Sequence, residues 1–204
     1  MNEAQITAKL ESMKKTRKTL ITVTTIVAIV CILWVLAYNI MPVAYLLSPT
    51  GTDYEQGFEF PGWQLTYYGF GRQFIMQDHL FDPNPLTIVG VIGTLIVLIV
   101  CTANYNKGLN KAKAIKEFVM AGFLVYSSLV LGAFIIPVAT TAATSGGVYD
   151  FLNQYILNPA SSFTAMPLAY ATCAVLMAGA LVKIAVGAFL LYQKNFAAKY
   201  APKK

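Results

Sequence analysis

Lys183 is the residue of this chain whose type and surroundings most suggest chemistry. It is the one charged side chain within a long apolar stretch, Leu168 to Tyr192. Gly179 and Gly187 lie four residues before and after it, so the three residues share one face of a helix. Small residues let a second helix approach closely, and a charge buried in such a seam is by default functional. The three residues form a candidate intramembrane polar and packing site.

Three interpretations of Lys183 stay open at this point. Its side chain can run along the helix until the ammonium reaches cytoplasmic phosphates or Glu117. It can pair with an acid or with backbone carbonyls of a partner subunit, or it can serve transport. No carboxylate lies inside the other apolar stretches. The middle of its own stretch is near residue 180, which places Lys183 about 4.5 Å to the cytoplasmic side of the centre.

The remaining reactive residue types do not form a catalytic or metal-binding pattern. The single histidine, His79, lies between Asp78 and Asp82, a spacing that matches no strong metal motif. The three cysteines contain no CxxC pair and are expected to behave as small apolar residues: Cys31, Cys101 and Cys173. Paired intramembrane acids, HExxH and a nucleotide-binding loop are absent from the sequence. We therefore expect no enzyme, no cofactor and no metal site.

Four apolar stretches must position these residues. Of the 204 residues, 57% are hydrophobic and only 12% are charged, about half the charge of a soluble domain. Each stretch meets the length of about 20 helical residues that crosses a bilayer core. The predicted spans cover residues 20–41, 86–104, 118–140 and 168–192. The first is too long for a cleaved signal, whose apolar core has about 7–15 residues.

The positive charges predict the orientation. Five lysines and arginines lie in tail 1–19, four in the loop between the second and third spans, and four in tail 193–204. Outer loop 42–85 has Arg72 alone, and outer loop 141–167 has none. Because cytoplasmic segments are enriched in lysine and arginine, both termini are expected in the cytoplasm. The pI of 9.2 then indicates attraction to anionic lipid headgroups and not to nucleic acid.

The first outer loop is aromatic and could contact a partner or rest at the headgroups. Segments 58–60 and 63–67 roughly alternate around Pro61-Gly62, which predicts a short β-hairpin. In the second outer loop, residues 148–156 have the apolar spacing of a helix lying in the interface. A re-entrant segment is the alternative for that helix. The candidate contact residues of the first loop are Phe58, Phe60, Trp63, Tyr67, Tyr68 and Phe70.

Two resemblances follow from this layout. Four spans with cytoplasmic ends and a larger first outer loop resemble the claudin-like arrangement, although the loop has Trp63 without the Gly-Leu-Trp and cysteines of that family. The segment Gly62-Trp63-Gln64-Leu65-Thr66-Tyr67-Tyr68-Gly69 is similar to one in small uncharacterised four-span proteins of Gram-positive bacteria and their wall-less relatives. The resemblance implies topology and brings no activity with it.

The sequence thus predicts one integral membrane domain over residues 1–204, an all-α antiparallel four-helix bundle with a small outer loop structure and an interfacial helix. Its expected place is the cell membrane. Its expected function is that of a non-enzymatic structural or accessory subunit, acting through helix and outer-loop contacts with itself or with other membrane subunits. The alternative is a small oligomeric transporter or channel that uses Lys183.

Overall fold

The computed structural model describes residues 3–47, 58–63, 88–103, 111–141 and 162–200. The described part is mostly helical, with α-helices α1 (Glu3–Ile40), α2 (Thr94–Ala103), α3 (Lys111–Thr141) and α4 (Pro167–Tyr200). A π-helical turn, Val89–Gly93, runs directly into α2. The strands are β1 (Pro42–Leu47), β2 (Phe58–Pro61) and β3 (Ser162–Ala165).

Three of the described helices are long and apolar enough to cross a membrane: α1, α4 and the segment Ala112–Leu131 of α3. A shorter apolar helix, Val89–Ala103, combines the π-helical turn with α2. This is a statement about length and composition. At that level, the described helices are consistent with the predicted helical membrane bundle, with three long apolar helices and one shorter one.

The helices bury stripes of residues that recur at alternating spacings of three and four. On α4 the stripe runs through Thr172, Leu176, Gly179, Lys183, Val186, Leu190 and Gln193. On α1 it includes Thr24, Ala28, Cys31, Val35 and Tyr38. Such spacing keeps one face of each helix toward its neighbours along its whole length. Helix α4 packs most extensively on α3 and next on α1, while α2 contacts both α3 and α1.

Two of the long helices extend beyond the predicted spans and pack on each other there. Helix α1 begins at Glu3 and includes most of the tail 1–19, while α4 continues to Tyr200. The Lys9 ammonium lies 4.8 Å from the centre of the Phe196 ring. Hydropathy identifies only the apolar part of a helix. It therefore does not detect the ends of α1 and α4, where the helix continues with a polar outer face.

The strands form a three-stranded antiparallel sheet in the order β2-β1-β3. The predicted strand at residues 58–60 is present; of its predicted partner 63–67, residue 63 is helical and residues 64–67 lie outside the described residues. Strand β2 pairs with β1, with Tyr45 opposite Glu59. Residues 62 and 63 are helical, and a Cβ added to Gly62 would collide with Tyr38 at the end of α1. Residues 62 and 63 therefore lie against the end of α1.

Strand β3 pairs with the other edge of β1 and links the two outer loops, with Tyr45 opposite Thr164. The backbone N–H of Met166 also donates to the Val43 carbonyl at 2.8 Å. Neither β1 nor β3 was predicted, because both are short apolar runs beside a span. The predicted interfacial helix at 148–156, together with His79, Tyr67, Tyr68 and Phe70, lies outside the described residues.

Candidate functional site: a buried ion pair between three helices

Lys183 lies in a contact between three helices and is 1% exposed. Its ammonium Nζ is 3.3 Å from Oε2 of Glu117, which comes from α3 and is fully buried. The same ammonium donates a hydrogen bond to the backbone carbonyl of Thr24 on α1 at 2.8 Å. Of the partners considered for Lys183 from the sequence, Glu117 is the one that the structure shows. Glu117 was placed just before the third span, but α3 begins six residues earlier and buries it.

Thr24 connects the two charged groups. Its hydroxyl Oγ1 donates to Glu117 Oε2 at 2.7 Å, while its carbonyl accepts from Lys183. Thr24 of α1 thus donates a hydrogen bond to Glu117 and accepts one from Lys183. Burying a charge is costly unless it is both paired and hydrogen-bonded. This arrangement meets both conditions within one chain, without a partner subunit.

The two glycines beside Lys183 face different neighbours. A Cβ added to Gly179 would lie 2.6 Å from the Cys31 sulfur of α1. A Cβ added to Gly187 would lie 3.1 Å from Phe118 Cζ and 3.3 Å from Glu117 Cβ of α3. The face predicted from the sequence therefore contacts two helices, one on each side of the lysine. The absence of a side chain at both positions lets α4 come close enough for its lysine to reach Glu117 and Thr24.

The ion pair is nearer to one end of the apolar layer than the sequence suggested. Thr24 is four residues from Leu20, the start of the first predicted span, which corresponds to about 6 Å along α1. The estimate of about 4.5 Å from the centre used the limits of the fourth span alone. Residues Ala114, Val186 and Leu190 form a small buried cluster at this end, with Leu20 packed against it. Apolar side chains thus cover the pair on the side of the chain termini.

A second layer of polar contacts lies about two to three helical turns further along the bundle. Trp34 Nε1 donates to Thr172 Oγ1 at 3.1 Å, which joins α1 to α4. Ser128 donates to the Cys173 carbonyl at 2.9 Å, which joins α3 to α4. These residues had not been singled out in the sequence. Thr172 and Ser128 belong to the buried stripes of α4 and α3, and that spacing is the signal by which they could have been found, whereas Trp34 is only half-buried.

The π-helical turn belongs to this second layer. The Ser127 hydroxyl of α3 donates to the Gly90 carbonyl, and its oxygen is 2.6 Å from Thr94 Oγ1. Thr94 also lies 3.1 Å from the Phe123 carbonyl. In a π-helical turn the regular α-helical hydrogen bonds are displaced, and such turns are frequent at functional sites. Here the side-chain hydroxyls of α3 and α2 bond to backbone carbonyls across the helix contact.

The other predicted contact residues lie far from the ion pair in the fold. Phe58 and Phe60 are in β2, and Trp63 follows it with 38% of its surface exposed. Among the described residues there is no group of three or more histidine, cysteine or acidic side chains that could hold a metal ion. The cysteines Cys31, Cys101 and Cys173 are free thiols. The arrangement at Lys183 can hold charge in an apolar environment and join three helices.

Comparisons of the chain with protein-family models, curated proteins and solved structures return no match. The function therefore has to be inferred from the geometry.

Proposed function

We propose that this chain is a non-enzymatic multi-pass protein of the cell membrane that crosses the bilayer four times and keeps both termini in the cytoplasm. The long apolar helices support the membrane location. Their outward faces are apolar as well, with Ile26, Leu33, Leu129 and Leu181 each more than half exposed. The distribution of lysine and arginine over alternating loops supports the orientation.

Within the membrane the chain acts as a structural or accessory subunit. The observation that carries this proposal is the internal neutralisation of Lys183 by Glu117 and Thr24. A lysine whose charge and hydrogen bonds are satisfied by its own chain fixes the helix arrangement and leaves no charge free for a substrate. In this proposal the chain contacts its partners through the part of the molecule around the sheet, where Trp63 is exposed.

The test is the native mass of the protein after gentle extraction from its own membrane, with the co-migrating chains identified. The accessory-subunit proposal expects one defined partner at fixed stoichiometry. It also expects Trp63→Ala to release that partner while the protein stays inserted and folded. Tyr192→Ala is the matched control, because it removes an exposed aromatic ring from α4 far from the sheet. A monomer with no stoichiometric partner contradicts the proposal.

The second candidate function is a small oligomeric transporter or channel that uses Lys183. The observation in its favour is the pairing of opposite buried charges from two different helices, because intramembrane ionisable residues often belong to ion or proton pathways. The double variant Lys183→Met/Glu117→Gln separates the two functions. An accessory subunit retains its assembly in this variant, whereas a transporter assembles and loses flux in reconstituted vesicles.

A further inference from the structure

A group of four oxygen atoms meets between the π-helical turn, the start of α2 and the middle of α3. The Ser127 hydroxyl donates to the Gly90 carbonyl, and the Thr94 hydroxyl donates to the Phe123 carbonyl at 3.1 Å. The two hydroxyl oxygens are 2.6 Å apart. Each of the two helical segments thus contributes a hydroxyl and the carbonyl four residues before it. We call these four atoms the oxygen cluster.

The π-helical turn makes one of the two carbonyls available. In a regular α-helix the Gly90 carbonyl would accept from the backbone N–H of Thr94. Here that N–H bonds to the Val91 carbonyl instead, which releases the Gly90 carbonyl for its contact with α3. A Cβ added to Gly90 would lie 3.8 Å from Ser127 Cα, so little space separates the two backbones. Carbonyls released from a helix in this way coordinate monovalent cations in other membrane proteins.

The oxygen cluster has fewer protons than contacts. The Gly90 and Phe123 carbonyls only accept, and each of the two hydroxyls carries one proton. The Ser127 proton goes to the Gly90 carbonyl. The Thr94 proton can go to Ser127 or to the Phe123 carbonyl, so one of the three contacts lacks a proton of its own. Lone pairs that face each other repel, and a cation between them turns that repulsion into attraction.

The oxygen cluster is buried near the middle of the apolar layer. Thr94 is fully buried and Ser127 is 1% exposed. Thr94 is one residue from the middle of the predicted span 86–104, about 1.5 Å along the helix. Ser127 is two residues from the middle of the predicted span 118–140, about 3 Å. In such an environment an incompletely satisfied oxygen is more costly than in water, which favours a ligand that satisfies it.

The oxygen atoms select the charge and the size of the cation. All four are uncharged, and the cost of burying an ion rises with the square of its charge, so a monovalent ion fits better than Ca²⁺ or Mg²⁺. Na⁺ has nearly the radius of Ca²⁺, whose oxygen ligands lie at about 2.3–2.6 Å. Oxygens 2.6 and 3.1 Å apart can surround an ion of that size with a small outward movement, whereas the larger K⁺ needs more space.

We propose that the oxygen cluster binds one Na⁺ between the π-helical turn and α3. The four oxygens of the cluster are its ligands. Each hydroxyl keeps its proton and turns a lone pair toward the ion, and each carbonyl has two lone pairs to share. The bound ion supplies the positive charge that this contact lacks and holds the short helix α2 on α3. The site does not depend on whether the chain is an accessory subunit or a transporter.

The test measures thermal unfolding of the purified full-length protein in detergent micelles, in NaCl, KCl or choline chloride at equal ionic strength. Na⁺ at about ten times its Kd should raise the melting temperature by about 3–6 °C, and neither K⁺ nor choline should reproduce that shift. Ser127→Ala removes one ligand and should raise the apparent Kd for Na⁺ at least about tenfold.

Ser128→Ala is the matched control, because the Ser128 hydroxyl donates to the Cys173 carbonyl of α4 and is not part of the oxygen cluster. This variant should lower the melting temperature in every salt and keep the full Na⁺ shift. Thr94→Val should lose the Na⁺ shift and Thr94→Ser, which retains the hydroxyl, should keep it. This pair of variants keeps the test decisive if Ser127→Ala does not fold.

Three results would overturn the proposal. If the wild-type protein melts at the same temperature in all three salts, the cluster joins the helices by hydrogen bonds alone. An equal shift in NaCl and KCl would show that the cluster does not select Na⁺. A full Na⁺ shift in Ser127→Ala or Thr94→Val would place the ion elsewhere in the molecule.

Discussion

At the residue scale, Lys183 and Glu117 neutralise each other's charge within the buried contact between the helices. Removing one of them leaves the other buried without its counter-charge, which typically costs about 3–5 kcal/mol. Removing both leaves two neutral side chains of similar size, which buried sites accept at little cost. The lysine cannot be tested alone, because its substitution also changes the state of the acid.

We therefore predict that Lys183→Met lowers the free energy of unfolding by about 3 kcal/mol and that Lys183→Met/Glu117→Gln restores most of it. In the double variant the Gln amide still accepts from the Thr24 hydroxyl. Thermal unfolding in detergent micelles measures both. If the double variant is less stable than Lys183→Met, the two residues do not compensate each other and the ion pair does not stabilise the fold.

The Thr24 hydroxyl offers a sharper test with a neighbouring control. Thr24→Val removes the hydrogen bond to the Glu117 carboxylate and should cost about 1.5–3 kcal/mol. Thr25→Val is the control, since the Thr25 hydroxyl donates to the Ile21 carbonyl of its own helix at 2.9 Å. It should change stability by less than about 0.5 kcal/mol. Equal effects of the two substitutions in thermal unfolding would show that Thr24 has no special role.

At the scale of the helices, close approach of α4 to α1 and α3 depends on residues without a side chain. Gly179→Ala would place a methyl group against the Cys31 sulfur, so we predict a loss of about 1–3 kcal/mol from overpacking. Gly122→Ala is the matched control, because nothing lies within 4 Å of its added Cβ. It should gain about 0.5–1 kcal/mol from helix propensity. If the Gly179→Ala variant is as stable as the wild type, α4 must lie further from α1 than the structure shows.

The sequence was informative about these helices wherever hydropathy decides their position. Apolar runs gave the cores of α1, α3 and α4, because a chain in lipid must satisfy its backbone hydrogen bonds within a helix. The sequence was less informative about where these helices begin and end. Helix α3 begins at Lys111 and not near 118, because its first two turns already have a buried face that includes Lys113, Ala114 and Glu117. Average hydropathy does not detect that pattern, although the spacing of Lys113, Glu117 and Met120 follows the buried stripe.

For the strands, the sequence predicted one extended segment but not how the segments pair. Residues 58–60 were identified as extended from their alternation, but their partner was not. Strand pairing depends on which segments the helices bring together at the end of the bundle. Strand β1 follows directly on α1 and β3 leads directly into α4, so these neighbouring helices hold their strands side by side. No local pattern in either strand encodes that contact.

At the scale of the whole molecule, the distribution of charge predicts the topology. A phosphatase reporter that is active only outside the cytoplasm should be active after residue 150 and inactive after Lys204. A fluorescent reporter that folds only in the cytoplasm should give the opposite result at both positions. The physical reason is the excess of lysine and arginine on alternate sides of the spans. Activity of the phosphatase after Lys204 would contradict the proposed orientation.

The sequence by itself determined the number and approximate place of the apolar stretches, and Lys183 as the residue to explain. Composition and apolar run length suffice for these because transfer into lipid is a local, additive property of the chain. Only the tertiary structure decided what Lys183 contacts. Glu117 and Thr24 are 66 and 159 residues away along the sequence, and they reach the lysine because α1, α3 and α4 pack along their buried stripes. That register depends on how side chains fit together between helices, which no single segment specifies.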